Sequence, residues 1–137
     1  MNYDSVFDKW HEECGVFGIY DRTVDVARYV YWGLFALQHR GQESAGIAVT
    51  DGHDVELKKG MGLLTEAIKE LPSLPSYMGT GHVRYSTTGS NNPRNIQPLV
   101  IHYQGGQIAV AHNGNLTNAL SIRKRLEADG SIFQTTM

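Results

Sequence analysis

One cysteine, one arginine and one Asn-Gly pair carry most of the chemical potential of this chain. The cysteine is Cys14, the sole thiol, set in Glu12-Glu13-Cys14-Gly15-Val16-Phe17-Gly18-Ile19 after a polar leader. A thiol with no internal partner for a disulfide is a candidate nucleophile. It needs help to attack, because a free cysteine titrates at about 8.5 and is only slightly ionised at neutral pH. An α-amino group titrates at about 7.7 to 8.0, so an N-terminal cysteine brings its own base. Cleavage before Cys14 would create that arrangement, with residues 1–13 as a disposable propeptide. A free cysteine is also often a small buried hydrophobe, and Cys14 opens an apolar run. Position alone leaves both readings open.

Three further segments are polar, glycine-bearing and placed beside expected strand ends. They are His39-Arg40-Gly41-Gln42-Glu43-Ser44-Ala45-Gly46, Gly81-His82-Val83-Arg84-Tyr85-Ser86-Thr87-Thr88-Gly89 and His112-Asn113-Gly114-Asn115-Leu116. An arginine fork suits a carboxylate, and an amide beside a glycine turn suits an oxyanion. Taken singly, Arg84 is also an ordinary surface ion-pair partner, and Asn113-Gly114 an ordinary turn. His39, His82 and His112 are expected to be hydrogen-bonded structural residues near the site. Six histidines and a cysteine raise the question of metal, yet none stands in a CxxC, HxxxH or HExxH spacing, so no metal site is expected. Neither a Walker loop nor a dinucleotide fingerprint follows any expected strand.

Elements must hold these segments together. Asp25 to Arg40 shows apolar residues at Val26, Tyr29, Val30, Gly33, Leu34 and Leu37, the spacing of a helix, with Gly41 as its stop. Cys14 to Tyr20 reads as a strand. Ala45 to Thr50 and Val55 to Lys59 flank Asp51-Gly52-His53-Asp54 as a hairpin, and Leu99 to Tyr103 and Gln107 to Ala111 flank Gln104-Gly105-Gly106 as another. Leu63 to Leu71 predicts a brief helix before Pro72, and Thr80 to Tyr85 a strand. The run from Ser86 to Gln97 predicts a long loop, and Thr117 an N-cap for a helix through Ala128. Ser131 to Met137 begins something strand-like.

The composition is that of an ordinary globular protein: 137 residues, 41% hydrophobic, 19% charged, net charge -2. That charge gives no nucleic-acid footprint, and no apolar stretch is long enough for a membrane span or a secretory signal. One cysteine suits a reducing compartment, which predicts a cytoplasmic protein.

Together and in this order, the four segments resemble the class II glutamine amidotransferases, the N-terminal nucleophile glutaminases. HRGQESAG and GHVRYSTTG resemble the amidophosphoribosyltransferase branch of that family, as does a leader before the cysteine. The resemblance covers Cys14 to the end and implies an α+β fold, a four-layer αββα sandwich that is incomplete at the C-terminus, in residues 14–137. It implies that Cys14 attacks the carboxamide of glutamine, with its freed amine moving protons. Asn113 and the Gly114 N–H would form the oxyanion hole, Gly114 also touching substrate. Arg84 would hold the α-carboxylate of glutamine and Thr87 would line its pocket, while Arg40, Glu43 and His82 would organise the site. Family members continue FQT-x-x-D-T-E, whose aspartate binds the α-amino group; here Phe133-Gln134-Thr135-Thr136-Met137 ends before it. The expectation is thus an N-terminal piece, weakly active or inactive alone.

The intact parent would add a phosphoribosyltransferase domain in cis, use Mg2+ and, in some members, carry an iron–sulfur cluster, and assemble as a homo-oligomer. No cofactor is expected in this segment. It would make phosphoribosylamine from glutamine and phosphoribosyl pyrophosphate, the first step of purine synthesis. The alternatives are the glutaminase domain of another class II amidotransferase and a non-catalytic glutamine-binding module.

Overall fold

The computed structural model describes residues 14–85, 92–114 and 116–135. The expected leader, residues 1–13, and Thr87 lie outside the described residues.

The chain begins with a strand, β1 (Gly15–Tyr20), and then enters helix α1 (Val26–Ala36). Asp25 starts the helix by accepting a 3.1 Å hydrogen bond from the backbone N–H of Arg28. The expected helix to Arg40 is shorter, because after Leu37 the chain tightens into a 3-10 turn over Gln38–Arg40. That turn is where the HRG segment leaves the helix axis.

Next come β2 (Ser44–Thr50) and β3 (Val55–Met61), the predicted hairpin. Asp51 closes it by accepting from the N–H groups of His53 and Asp54. Helix α2 (Leu64–Ala67) is a single turn, shorter than the Leu63 to Leu71 expectation, and Glu66 reaches back to the Leu63 N–H at its start. Strand β4 (Met78–Arg84) follows, then a 3-10 turn over Pro93–Asn95 capped by Asn92.

The four strands form one antiparallel sheet in the order β1-β4-β2-β3. Its alternation divides the residues cleanly. Ala45, Ile47 and Val49 of β2 and Val83 of β4 pack with Val26, Ala27, Val30 and Leu34 of α1, all almost fully buried. Residues of opposite parity in β2 and β4, including Ser44, Gly46, His82 and Arg84, therefore point to the other face. Burying the α1 stripe against this sheet is the main apolar contribution to the fold, at roughly 25 cal/mol per Å².

A second antiparallel pair, β5 (Leu99–Tyr103) and β6 (Gly106–Val110), matches the other predicted hairpin. It is tied to the first sheet where the side-chain carbonyl of Gln107 accepts from the Val55 N–H at 2.8 Å. Helix α3 (Ala119–Ala128) starts two residues later than Thr117, with Asn118 at its cap position and no side-chain cap. Its C-terminus is closed by Gly130 at φ +89°, a conformation that suits glycine. Ser131 to Thr135 form no strand. The whole is α+β with antiparallel sheets, as expected.

Candidate active site

The site sits where β1 begins and β4 ends. The β1–β4 register pairs Gly15 with Val83, which leaves Cys14 beside Arg84 and Tyr85. The half-buried Cys14 thiol lies 3.3 Å from both the Tyr85 carbonyl oxygen, to which it donates, and the Tyr85 N–H, from which it accepts. The sulfur is thus held by backbone at the strand end rather than sunk in the apolar core.

Two side chains from distant parts of the sequence converge on the carbonyl oxygen of Cys14. Asn113 donates from Nδ2 at 2.6 Å, and Arg40 donates from Nε at 3.3 Å. The two donors fix the backbone of Cys14 from two separate loops and bring the Asn113 amide to the thiol-bearing residue. Gly114 follows with φ +142°, and its N–H makes no hydrogen bond among the described residues. It is an N–H free to donate to an anionic ligand.

Arg40 owes its position to a clasp. Gln38 accepts from the Leu64 N–H at 2.7 Å and donates to the Gly41 carbonyl at 2.5 Å, fixing the turn that follows α1 against the start of α2. Gly41 then passes flush against β4: a Cβ there would lie 2.6 Å from the carbonyl carbons of Val83 and Arg84. No other residue type fits. Glu43 contributes through its backbone, its N–H donating to the Arg84 carbonyl at 3.0 Å and its carbonyl accepting from Gly62 at 2.7 Å. Its carboxylate forms no ion pair among the described residues.

Arg84 ends β4 next to Ser44 in register and is half-buried. Its guanidinium has neither a carboxylate nor a carbonyl partner among the described residues. A partly desolvated, unpaired arginine is an open anion site with a fork of donors.

His82 differs from expectation. It is fully buried, and neither ring nitrogen reaches a hydrogen bond of regular geometry among the described residues, the His112 backbone being the polar group that acts on it. Burial, aided by the Arg84 charge, pushes its pKa down from 6.5 to about 4, while the His112 backbone works weakly the other way. The imidazole stays neutral beside the site. His39 is exposed, and His112 contributes its backbone to the site's support.

Cys14, Arg40, Glu43, His82, Arg84, Asn113 and Gly114 are thus drawn from four separate segments to one end of the sheet. The sequence reading passed over Gln38 and Gln97, whose amides brace the two loops; a glutamine directly before HRG and one directly before Pro98 were the only signals. No group of three or more histidine, cysteine or acidic side chains is placed to hold a metal among the described residues. No described helix is long and apolar enough to cross a membrane.

Residues 41–131 match the family model described as glutamine amidotransferases class-II. The chain is 50% identical over 126 residues to the amidophosphoribosyltransferase of Methanocaldococcus jannaschii and 48% identical over 129 residues to that of Bacillus subtilis. These alignments cover 90% and 92% of the chain. The chain spans about a quarter of those relatives, 27% of each. It superimposes with a TM-score of 0.81, at 46% identity, on the glutamine phosphoribosylpyrophosphate amidotransferase of B. subtilis complexed with ADP and GMP, covering 89% of this chain and 26% of that one. A structure described as the allosteric regulatory enzyme of purine biosynthesis gives 0.79, also at 46% identity, with 88% and 26% covered. With its strand-end thiol, converging side-chain donors and N-terminal nucleophile architecture, the chain belongs to the class-II glutamine amidotransferases.

Proposed function

We propose that this chain is the glutaminase part of an amidophosphoribosyltransferase. In the processed protein, cleavage between Glu13 and Cys14 frees the Cys14 amine, which takes the thiol proton as sulfur attacks the carboxamide carbon of glutamine. The oxyanion is held by Asn113 Nδ2 and the Gly114 N–H. The amine returns the proton to the departing ammonia, leaving a glutamyl thioester that water hydrolyses to glutamate. Arg84 grips the α-carboxylate, Thr87 lines the pocket, and Arg40, Glu43 and His82 keep the site in shape. Ammonia then displaces pyrophosphate from phosphoribosyl pyrophosphate to give phosphoribosylamine, in a phosphoribosyltransferase domain of the same polypeptide. That domain would bind the Mg2+ of phosphoribosyl pyrophosphate and, where the parent has one, an iron–sulfur cluster. The intact enzyme would be a cytoplasmic homo-oligomer.

The carrying observation is the 2.6 Å contact from Asn113 to the Cys14 carbonyl, which joins the oxyanion candidate to the nucleophile candidate across the fold. The test is Cys14→Ala in the full-length processed protein. Ammonia release from glutamine should vanish while phosphoribosylamine formation from added ammonia persists. A glutamine-like electrophile should label only Cys14, with protection by glutamine. Glutamine hydrolysis that survives Cys14→Ala would favour a non-catalytic glutamine-binding role for this site.

A further inference from the structure

We infer that Gln97 is a positioning residue for the oxyanion turn, acting through His112 on Asn113 and Gly114. This rests on the glutaminase reading above.

Gln97 is nearly buried, and its side-chain amide pairs with the backbone of one residue at both ends. Its Oε1 accepts from the His112 N–H at 2.6 Å, and its Nε2 donates to the His112 carbonyl at 3.2 Å. A carboxamide presents the same donor and acceptor as a peptide group, so His112 is held as if by one residue of a neighbouring strand. The two residues after this clamp are Asn113 and Gly114. Their direction is therefore set by a side chain fifteen residues before His112 in sequence.

The clamp itself is anchored on the main sheet. Lys59, Gly46, His82 and Val16 form one cross-strand row. Gly46 lets the chain approach so closely that a Cβ there would strike the Gln97 carbonyl oxygen. Beside it Lys59, partly desolvated and with its pKa lowered by burial, donates to the Ile96 carbonyl at 3.0 Å. Fixed below by backbone and above by a two-point amide, Gln97 couples the sheet to the turn that faces Cys14. Removing it leaves Asn113 and Gly114 in place chemically but frees their orientation, which is the kind of misplacement that slows chemistry more than binding.

The experiment compares wild type, Gln97→Met and Gln97→Glu in the full-length processed protein. Methionine keeps the length without either hydrogen bond; glutamate keeps the acceptor and loses the donor. Glutamine hydrolysis should lose roughly 10- to 100-fold in kcat in the methionine variant with KM changed less than about threefold. Alkylation of Cys14 by iodoacetamide, which needs no oxyanion hole, should keep its rate. The glutamate variant, which sets a carboxylate oxygen against the His112 carbonyl, should lose at least as much. Unchanged kcat in both variants, or a parallel loss of turnover and alkylation, overturns the proposal. So does failure of both variants to fold, judged by circular dichroism, since Gln97 would then serve stability alone. A wild-type protein without glutaminase activity would instead sink the functional reading, with the clamp still readable from amide exchange at His112.

Discussion

At the scale of single residues, Arg84 and His82 show how one face of a strand assigns different tasks. Both point away from α1, two positions apart on β4, yet one is left charged and open and the other is sealed and neutral. Replacing Arg84 by Ala should raise KM for glutamine by roughly 30- to 100-fold, the loss of about 2 to 3 kcal/mol from a charge-assisted contact. Arg84→Lys should recover only part of this, because the fork is gone. Steady-state kinetics on the processed protein would check both. His82 has a folded pKa of about 4 against 6.5 unfolded, so the unfolded chain binds the extra proton first on acidification. Its contribution is fully present above pH 6.5 and is lost as pH falls toward 4, amounting to about 3 kcal/mol. Denaturant titrations from pH 7 to 4 should show that decline, and His82→Gln should flatten it.

At the scale of elements, the helix and the sheet are interdependent. Helix α1 carries no acidic residue in its first turn and no basic one in its last, so it depends on its Asp25 cap and on packing. Leu34 is fully buried between α1 and the sheet. Leu34→Ala should cost about 2 to 5 kcal/mol by thermal or chemical unfolding. Because β1 and β4 bring Cys14 beside Arg84, that loss should appear also as faster thermal inactivation of glutamine hydrolysis. The outward stripe of α1 makes the opposite point. Tyr29, Trp32 and Phe35 are exposed although the periodicity that revealed the helix counted Tyr29 among its apolar positions. A helical spacing identifies the element, but only the docked sheet decides which of its apolar residues face inward.

At the scale of the whole molecule, the described residues leave a good deal of apolar surface uncovered. Trp32 and Phe35 are 54% and 60% exposed, and the cross-strand partners Ile101 and Ile108 are 54% and 46% exposed. Exposed apolar side chains of this size promote association. The 137-residue chain by itself should self-associate as concentration rises, and Ile101→Lys with Ile108→Lys should reduce this in sedimentation velocity. A monodisperse monomer at high concentration would contradict the expectation.

What the sequence determined alone is the set of reactive types and their local frames. Cys14 at a strand start, the two hairpins with their turn residues, the α1 stripe and the Asn113-Gly114 turn are all encoded within a few residues of each other, where periodicity and turn chemistry act. Even there, local rules misplaced ends: Thr117 offered a hydroxyl for a cap, but the chain turned in at Asn118 instead. Only the tertiary structure decided that Asn113 and Arg40 meet on the Cys14 carbonyl, that His82 is fully buried, and that Gln38 and Gln97 brace the two loops. These depend on strand order and register, which bring residues separated by up to 99 positions into hydrogen-bond distance. A glutamine side chain carries no signal of which distant backbone it will pair with, because that pairing is set by where the sheet places the other loop.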